Sequence, residues 1–183
     1  MFMLQAFKIS QIQFTKLFLI LLMMAGVLGS HVNASESLPK IMVLDFELND
    51  MTGIPNAPEE LQRISFLTTT FKQKLAESGL EILPVNDKLK AVIKEQSATY
   101  LFDNVEAAAE LTSDSGADYL LIAVALKPTY LFVYPRILLV DIKTKKVVMA
   151  KAAQLESSWT DKNTTIRTAE KLAEMVRTFF NKN

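Results

Sequence analysis

The feature that most constrains the fold is an apolar run at residues 117–126, bounded by Gly116 and Pro128. Apolar side chains occupy both alternating faces of this run, which is typical of a strand buried in the middle of a sheet. Two further apolar runs, 130–142 and 146–155, are joined by a short polar link, and this pattern predicts a hairpin. A central strand followed by a long hairpin would form the surface on which helices pack.

The remaining segments predict short strands alternating with helices. Apolar residues recur at helical spacing after Pro58, which is typical of a first helical turn, and Gly79 is placed to end that helix. The predicted order of elements is β-α-β-α-α-β-β-β-α. We therefore expect an α/β protein with a single domain, whose mixed sheet of about five strands combines parallel pairings with an antiparallel hairpin and carries helices packed on it.

The N-terminal segment, residues 1–34, is predicted to be a secretory signal peptide. Its apolar run at 17–28 is too short to cross a bilayer core, but it has the length of the central region of a signal. Small residues around Ala34 offer a cleavage site before Ser35, and the alternative is an uncleaved anchor. We expect residues 35–183 to be exported, to a bacterial periplasm, and to keep no stable membrane span.

Composition restricts the available chemistry. The chain has no cysteine and a single histidine, His31, which lies in the predicted signal peptide. A mature domain without these residue types cannot use Ser-His-Asp or Cys-His catalysis, thiol redox chemistry, or the usual zinc and haem ligands. The formal net charge is zero, which gives no electrostatic reason to expect nucleic acid as a partner. These absences favour a non-enzymatic role without a cofactor.

Acidic and apolar residues alternate at the end of the first predicted strand. With a side-chain period of two, this alternation places Leu44, Phe46 and Leu48 on one face of the strand and Asp45 and Glu47 on the other. The strand runs toward a loop that contains glycine and proline. Ligands of open α/β sheets often bind where strands end in such loops, so the acidic face is a candidate site.

Asp45, Glu47 and Asp50 form the candidate carboxylate cluster at that strand end. With Thr52 they could offer oxygen ligands to Ca²⁺ or Mg²⁺, and a pair of them could work as acid and base. The plainer interpretation is that these side chains are solvated or cap neighbouring backbone groups. We therefore predict no metal site and keep the cluster as an alternative.

Two charged residues beside the central strand are predicted to be structural. Asp118 stands at the start of the strand, where its carboxylate can accept hydrogen bonds from nearby backbone donors. Lys127 follows the strand immediately. A lysine in an ion pair, or one whose charged end reaches solvent, is far commoner than an activated amine.

Tyr130, Phe132 and Tyr134 alternate along one face of the first predicted hairpin strand. Aromatic strand faces are usually covered, which favours a place in the core. If the face is open, the three aromatic residues form an adhesive stripe for a protein or a sugar. Pro135 cannot donate a ladder hydrogen bond and predicts a bulge or an edge position. At an edge, the three aromatic residues would be the partner-binding residues, because a partner strand can extend the sheet there.

Several short motifs resemble those of an uncharacterised family of secreted bacterial proteins, namely the segments at residues 43–48, 116–121 and 140–148. The element order is also similar to that of the N-terminal domain of TolB and of curli-secretion and lipoprotein-activator modules of the bacterial envelope. The resemblance implies an α/β envelope module and assigns no catalytic residue. Two departures concern residues 102–106, where many members have a close cysteine pair, and Lys145, which replaces an expected hairpin glycine and implies a strained or different turn.

The sequence therefore predicts a non-enzymatic periplasmic module that binds another protein of the cell envelope. Fold-level resemblance does not fix function, so two alternatives stay open. One is the binding of a small ligand or divalent metal through Asp45 and Glu47. The other is a hydrolase that works through the same pair of carboxyl groups.

Overall fold

The structure, a computed structural model, describes residues 39–53, 57–154 and 161–182, which belong to one unit of the chain, Leu38–Asn183. The described strands are β1 (Lys40–Val43), β2 (Glu47–Asp50), β3 (Glu81–Leu83), β4 (Tyr119–Lys127), β5 (Tyr134–Asp141) and β6 (Lys146–Ala152). The described helices are α1 (Pro58–Glu77), α2 (Asp87–Glu95), α3 (Tyr100–Asp103), α4 (Val105–Thr112) and α5 (Lys162–Phe180). None of these helices has the length and apolar character that crossing a membrane requires. The predicted signal peptide, residues 1–34, lies outside the described residues.

One mixed sheet contains all six described strands, with β4 at its centre. The strand order is β3-β1-β4-β5-β6, and β2 pairs with β4 beyond the end of β1. The pairings of β1 with β3 and of β1 and β2 with β4 are parallel, whereas β4, β5 and β6 are antiparallel neighbours. The predicted α/β class, mixed sheet and hairpin are confirmed. The sheet has six strands rather than about five because the first predicted strand is divided in two.

The division is produced by one extra residue in the first strand. Val43 lies opposite Leu121 and Glu47 lies opposite Val124, so three residues of the first segment face two residues of β4. An extra residue of this kind is a bulge, which interrupts the hydrogen-bonded ladder and shifts the side-chain alternation by one residue. Side chains after the bulge therefore lie on the opposite face of the sheet from the one that uninterrupted alternation would give them.

Because of this bulge, the side chains of residues 44–48 do not alternate as predicted. Phe46 packs in one hydrophobic cluster with Leu48 against it, whereas Leu44 packs in the cluster on the other face of the sheet. The placement of all three leucine and phenylalanine side chains on one face is therefore wrong for Leu44. The bulge also takes the N–H of Phe46 out of the ladder, and this group donates instead to the hydroxyl of buried Thr68 on α1, at 3.0 Å.

Helices cover both faces of the sheet. On one face, α1 and α5 enclose a core that includes Phe71, Leu121 and Leu172. On the other face, α2, α3 and α4 enclose a second core that includes Leu89 and Leu120. Adjacent residues of β4 thus serve opposite cores, which explains why this strand is apolar on both faces.

The segment before β5 differs from the prediction. Residues 128–133 form a loop, and β5 begins only at Tyr134. Pro135 is the second residue of β5, which pairs with a strand on each side, so the predicted edge or bulge at Pro135 is wrong. A proline is tolerated there because it lies at the end of the ladder between β5 and β6. The irregularity of the hairpin lies farther on, between Leu139 and Val140.

Asp118 joins β1 to the hairpin at the start of β4. Its Oδ2 accepts a hydrogen bond from the N–H of Lys40 at 2.8 Å, and its own N–H donates to the carbonyl of Lys40 at 2.8 Å. Its carbonyl accepts a hydrogen bond from the N–H of Ile142 at 3.1 Å. The predicted structural role of Asp118 is confirmed.

Candidate functional site

The end of the sheet at which β2 and β4 stop contains a buried ion network. Asp50 ends β2 and Lys127 ends β4, and the register places these two residues opposite each other. The Nζ of Lys127 lies 3.0 Å from Oδ2 of Asp50, and it also contacts both carboxylate oxygens of Glu60 in the first turn of α1. Lys127 is 4% exposed. The prediction that Lys127 forms an ion pair is therefore confirmed.

Hydrogen bonds keep Asp50 and Lys127 ionised in spite of their burial. Burial by itself raises the pKa of Asp50, but the hydroxyl and the N–H of Thr52 both donate to its Oδ1, at 2.6 and 2.9 Å. Together with Lys127 they lower the pKa of Asp50 to about 2. Burial likewise opposes the charge of Lys127, yet its hydrogen bonds to Glu60 and Asp50 raise the pKa of its ammonium group above the ordinary value.

Four large apolar side chains are exposed at this end of the sheet. They are Met51, Tyr130, Leu131 and Phe132, and we refer to them as the apolar platform. Their exposed fractions are 65%, 64%, 77% and 42%. Isolated apolar side chains are common on protein surfaces, whereas a group of large ones at one place is typical of a contact site.

Tyr130 connects the apolar platform to the ion network. Its hydroxyl donates to the carbonyl of Thr52 at 2.9 Å, and the Nζ of Lys127 lies 5.8 Å from the centre of its ring. Phe132 is held from the other side, because its ring stacks on that of Tyr134 with 6.4 Å between the ring centres. The two aromatic residues of the loop are thus supported although their outer surfaces face solvent.

The structure brings the predicted aromatic residues together, but on a loop rather than on a strand face. Tyr130 and Phe132 are exposed, so the core interpretation is wrong for these two residues, and Tyr134 is half-buried at the start of β5. Their role in partner binding stays a prediction. Sequence reasoning missed Met51 and Leu131, although Pro128 is a signal for a loop at the residues that include Leu131.

A groove of about 580 Å³ runs beside the outer edge of β2. We call it the β2 groove. It lies between the bulge and β2 on one side and α1 on the other, and its walls include Asp45, Glu47, Leu48, Leu61, Thr68 and Lys72. The groove therefore combines two carboxyl groups with hydroxyl and apolar surface.

The two carboxyl groups of the β2 groove differ in their charge balance. Oδ1 of Asp45 lies 2.5 Å from Nζ of Lys72, which compensates its charge. Glu47 is half-buried, and burial together with the neighbouring Asp45 raises the pKa of its carboxyl group to about 7. At neutral pH the groove thus holds one compensated carboxylate and one that titrates.

Asp50 does not join the other two members of the predicted carboxylate cluster. It lies three positions after Glu47, so the two side chains point to opposite faces of β2, and Asp50 is committed to Lys127 and Thr52. Within residues 39–53, 57–154 and 161–182, no group of three or more acidic, histidine or cysteine side chains is placed to hold a metal ion. What the groove offers is a pair, Asp45 and Glu47.

Comparison with known families assigns the chain to a family. A family described as "Protein of unknown function (DUF2380)" matches residues 39–172, a range that includes every described strand. The chain belongs to this family. The predicted membership of an uncharacterised family is thereby confirmed. A search of curated proteins finds no match.

Solved structures with a similar fold have low sequence identity to this chain. PelC from Paraburkholderia phytofirmans, described as a dodecamer, has a TM-score of 0.48 and 13% identity, over 78% of this chain and 88% of PelC. The LpoB C-terminal domain from Salmonella enterica has a TM-score of 0.46 and 16% identity, over 68% of this chain and 87% of that domain. TolB from Acinetobacter baumannii has a TM-score of 0.43 and 15% identity, over 80% of this chain and 28% of TolB.

Proposed function

We propose that this chain is a non-enzymatic protein-binding module of the bacterial periplasm, and that it docks to an envelope protein through the apolar platform. The observation that carries the proposal is the exposure of Met51, Tyr130, Leu131 and Phe132 at one end of the sheet. Side chains that stay in water contribute no burial free energy to folding, whereas covering them with a partner is favourable. Tyrosine and other aromatic residues are also the side chains on which binding energy concentrates.

The ion network lies beneath the apolar platform, and we infer that it holds Tyr130 in position. A buried ion network is commonly less stabilising than apolar side chains of similar volume, so stability alone does not explain it. Lys127 and the carbonyl of Thr52 both contact Tyr130 and limit the orientations of its ring. A side chain that is already ordered loses less entropy when a partner binds.

The periplasmic location rests on the predicted signal peptide at residues 1–34. A cysteine-free chain is compatible with an oxidising compartment, because it has no thiol to oxidise. The short apolar run and the small residues before Ser35 are the features that support export.

Site-specific photo-cross-linking in the native host tests the proposal. A photoreactive phenylalanine analogue in place of Leu131 is expected to give a discrete protein adduct, because this residue is the most exposed member of the apolar platform. Adding Tyr130→Ser and Phe132→Ser to the same protein should lower the adduct yield at least about tenfold, the effect of losing binding residues worth roughly 2 kcal/mol. The unfolding curve should stay nearly unchanged, since both side chains are exposed.

The matched control places the same analogue at Val147, an exposed apolar residue of β6. This position should not give the adduct that Leu131 gives. Equal yields of the same adduct from both positions would show that the contact is not specific. An adduct with lipid alone at Leu131 would overturn protein binding and assign the apolar platform to a membrane surface.

One observation favours hydrolysis as a second candidate function. Glu47, with a pKa of about 7, stands beside Asp45, which pairs with Lys72, and two carboxyl groups in different environments are the pair that glycoside hydrolases use as acid and base. Turnover on glycans that Glu47→Gln abolishes would establish this function. The small-ligand alternative would use the same pair of carboxyl groups. Ca²⁺ takes at least about six oxygen ligands, which is more than the four oxygens of this pair.

A further inference from the structure

The outer edge of β2 is open to an additional strand. β3 ends at Leu83, opposite Met42 of β1, and no described strand pairs with β2 on the side away from β4. Alternate residues of a strand direct their backbone groups to opposite neighbours. Because the N–H of Met51 donates to the carbonyl of Lys127 on β4 at 3.0 Å, the N–H and C=O of Leu48 point to the open side.

The β2 groove provides room beside this edge. The N–H of Phe46 is already bonded to Thr68, so an added strand would begin its pairing at Leu48. The groove volume of about 580 Å³ accommodates side chains of such a strand, and Leu61 of α1 presents an exposed apolar surface there. Backbone pairing would supply affinity, and the groove would select among side chains.

The other two edges of the sheet are less suited to strand addition. β6 carries the exposed residues Lys146 and Lys151, and its pairing with β5 shifts register at Leu139 and Val140. Exposed lysines and irregular register are devices by which edge strands avoid pairing with other chains. β3 is one residue shorter than β2, and its exposed acidic residue, Glu81, already pairs with Lys40 of β1.

Charge indicates which segment the edge of β2 accepts. Asp45 is compensated by Lys72, but no ion pair engages Glu47 within the described residues. A cation brought by a partner would compensate this half-buried carboxyl group. A second copy of this chain would instead bring the acidic groove residues of one β2, Asp45 and Glu47, toward those of the other, which is unfavourable.

We propose that the β2 edge binds an extended segment of a partner protein that alternates apolar residues with lysine or arginine, by strand addition in the β2 groove. The cation of the segment lies over Glu47, and its backbone pairs with Leu48. Strand addition requires only the open edge and the β2 groove. It does not depend on docking at the apolar platform, so a negative result at one surface leaves the proposal for the other surface standing.

Synthetic peptides of about nine residues with blocked ends are the probes. The first alternates valine or threonine with lysine, the second has glutamate in place of lysine, and the third is the lysine peptide with a proline at its centre. In nitrogen-15 NMR titrations of the purified protein, the lysine peptide is expected to shift the amide signal of Leu48. It should bind at least about tenfold more tightly than the glutamate peptide, because opposite charges select the partner. The proline peptide should bind weakly, because proline removes a ladder donor.

Charge reversal makes the test specific to the β2 edge. Glu47→Lys should invert the preference between the lysine and glutamate peptides, whereas Glu81→Lys, at an exposed position of β3, should leave it unchanged. The proposal is overturned if no peptide binds at millimolar concentration, if the shifts fall on β6, or if both variants act alike. A concentration-dependent shift of the Leu48 signal without peptide, together with dimer formation, would assign the edge to a second copy.

Discussion

Lys127 shows how one residue can connect the core to a surface. Its aliphatic part ends a strand that is buried on both faces, and its ammonium group reaches Asp50 and Glu60 while lying beneath the ring of Tyr130. A buried cation is tolerated only when its partners repay the loss of hydration. Removing one member of the network therefore affects the fold more strongly than removing an exposed ion pair.

Lys127→Met is expected to lower the free energy of unfolding by about 3–5 kcal/mol, because it leaves the carboxylates of Asp50 and Glu60 buried without their cation. Denaturant-induced unfolding measures this loss. Lys88→Met is the control, since it removes an exposed pair with Asp114 and should cost less than about 1 kcal/mol. Similar losses in the two variants would contradict a buried network whose members depend on one another.

At the scale of elements, strong periodicity is enough to predict much of the fold. The run that predicts β4 is apolar on both faces because Leu120 and Leu121 serve different cores. The bulge before β2 is not predictable in this way, since the alternation of residues 43–48 reads the same with or without an inserted position. The ion network is not predictable from the sequence either, because Asp50 and Lys127 are 77 residues apart in the chain. A single sequence does not show that the strand register places them opposite each other.

The turn of the hairpin between β5 and β6 illustrates a departure that the sequence does reveal. Lys145 replaces the glycine that the family resemblance leads one to expect, and its φ is +57°, the one positive φ of a non-glycine residue in the described part of the chain. A side chain in this left-handed region crowds its own backbone. The Nζ of Lys145 lies 2.6 Å from Oε1 of Glu110, an exposed pair that offsets little of this strain.

Lys145→Gly is expected to stabilise the protein by about 1 kcal/mol, because glycine adopts positive φ without steric cost. Thermal unfolding measures the change. Lys145→Ala is the matched control, since it also removes the pair with Glu110 but keeps a Cβ atom in the strained conformation. Alanine should be no more stable than lysine here. Equal melting temperatures for the glycine and alanine variants would show that backbone strain does not limit this turn.

At the scale of the whole molecule, the two proposed contact surfaces are joined by β2. The β2 groove borders this strand, and the strand leads directly into Met51 of the apolar platform. A segment that extends the sheet along β2 would therefore run toward the platform. The same short strand carries Glu47 on one face and Asp50 on the other, and their environments shift the pKa values of the two carboxyl groups in opposite directions.

These opposite shifts give the stability of the protein an asymmetric dependence on pH. Asp50 has a pKa of about 2 when folded and 3.8 ordinarily, so its contribution is present above pH 3.8 and is lost as the pH falls toward 2. Glu47 has a pKa of about 7 when folded and 4.5 ordinarily, so the folded state binds its proton more tightly. The contribution of Glu47 is fully present below pH 4.5 and is lost as the pH rises through 7.

Glu47→Gln is therefore expected to reduce the decline in stability between pH 4.5 and pH 7, by an amount on the order of 1 kcal/mol, because solvent screens a half-buried carboxyl group. Unfolding free energies measured across this range for the variant and the parent give the difference directly. Glu106→Gln, at an exposed position in the first turn of α4, is the control and should leave the slope unchanged. If the parent and Glu47→Gln curves run parallel from pH 4.5 to pH 7, the carboxyl group of Glu47 is better solvated than its place in the β2 groove indicates, and burial does not raise its pKa.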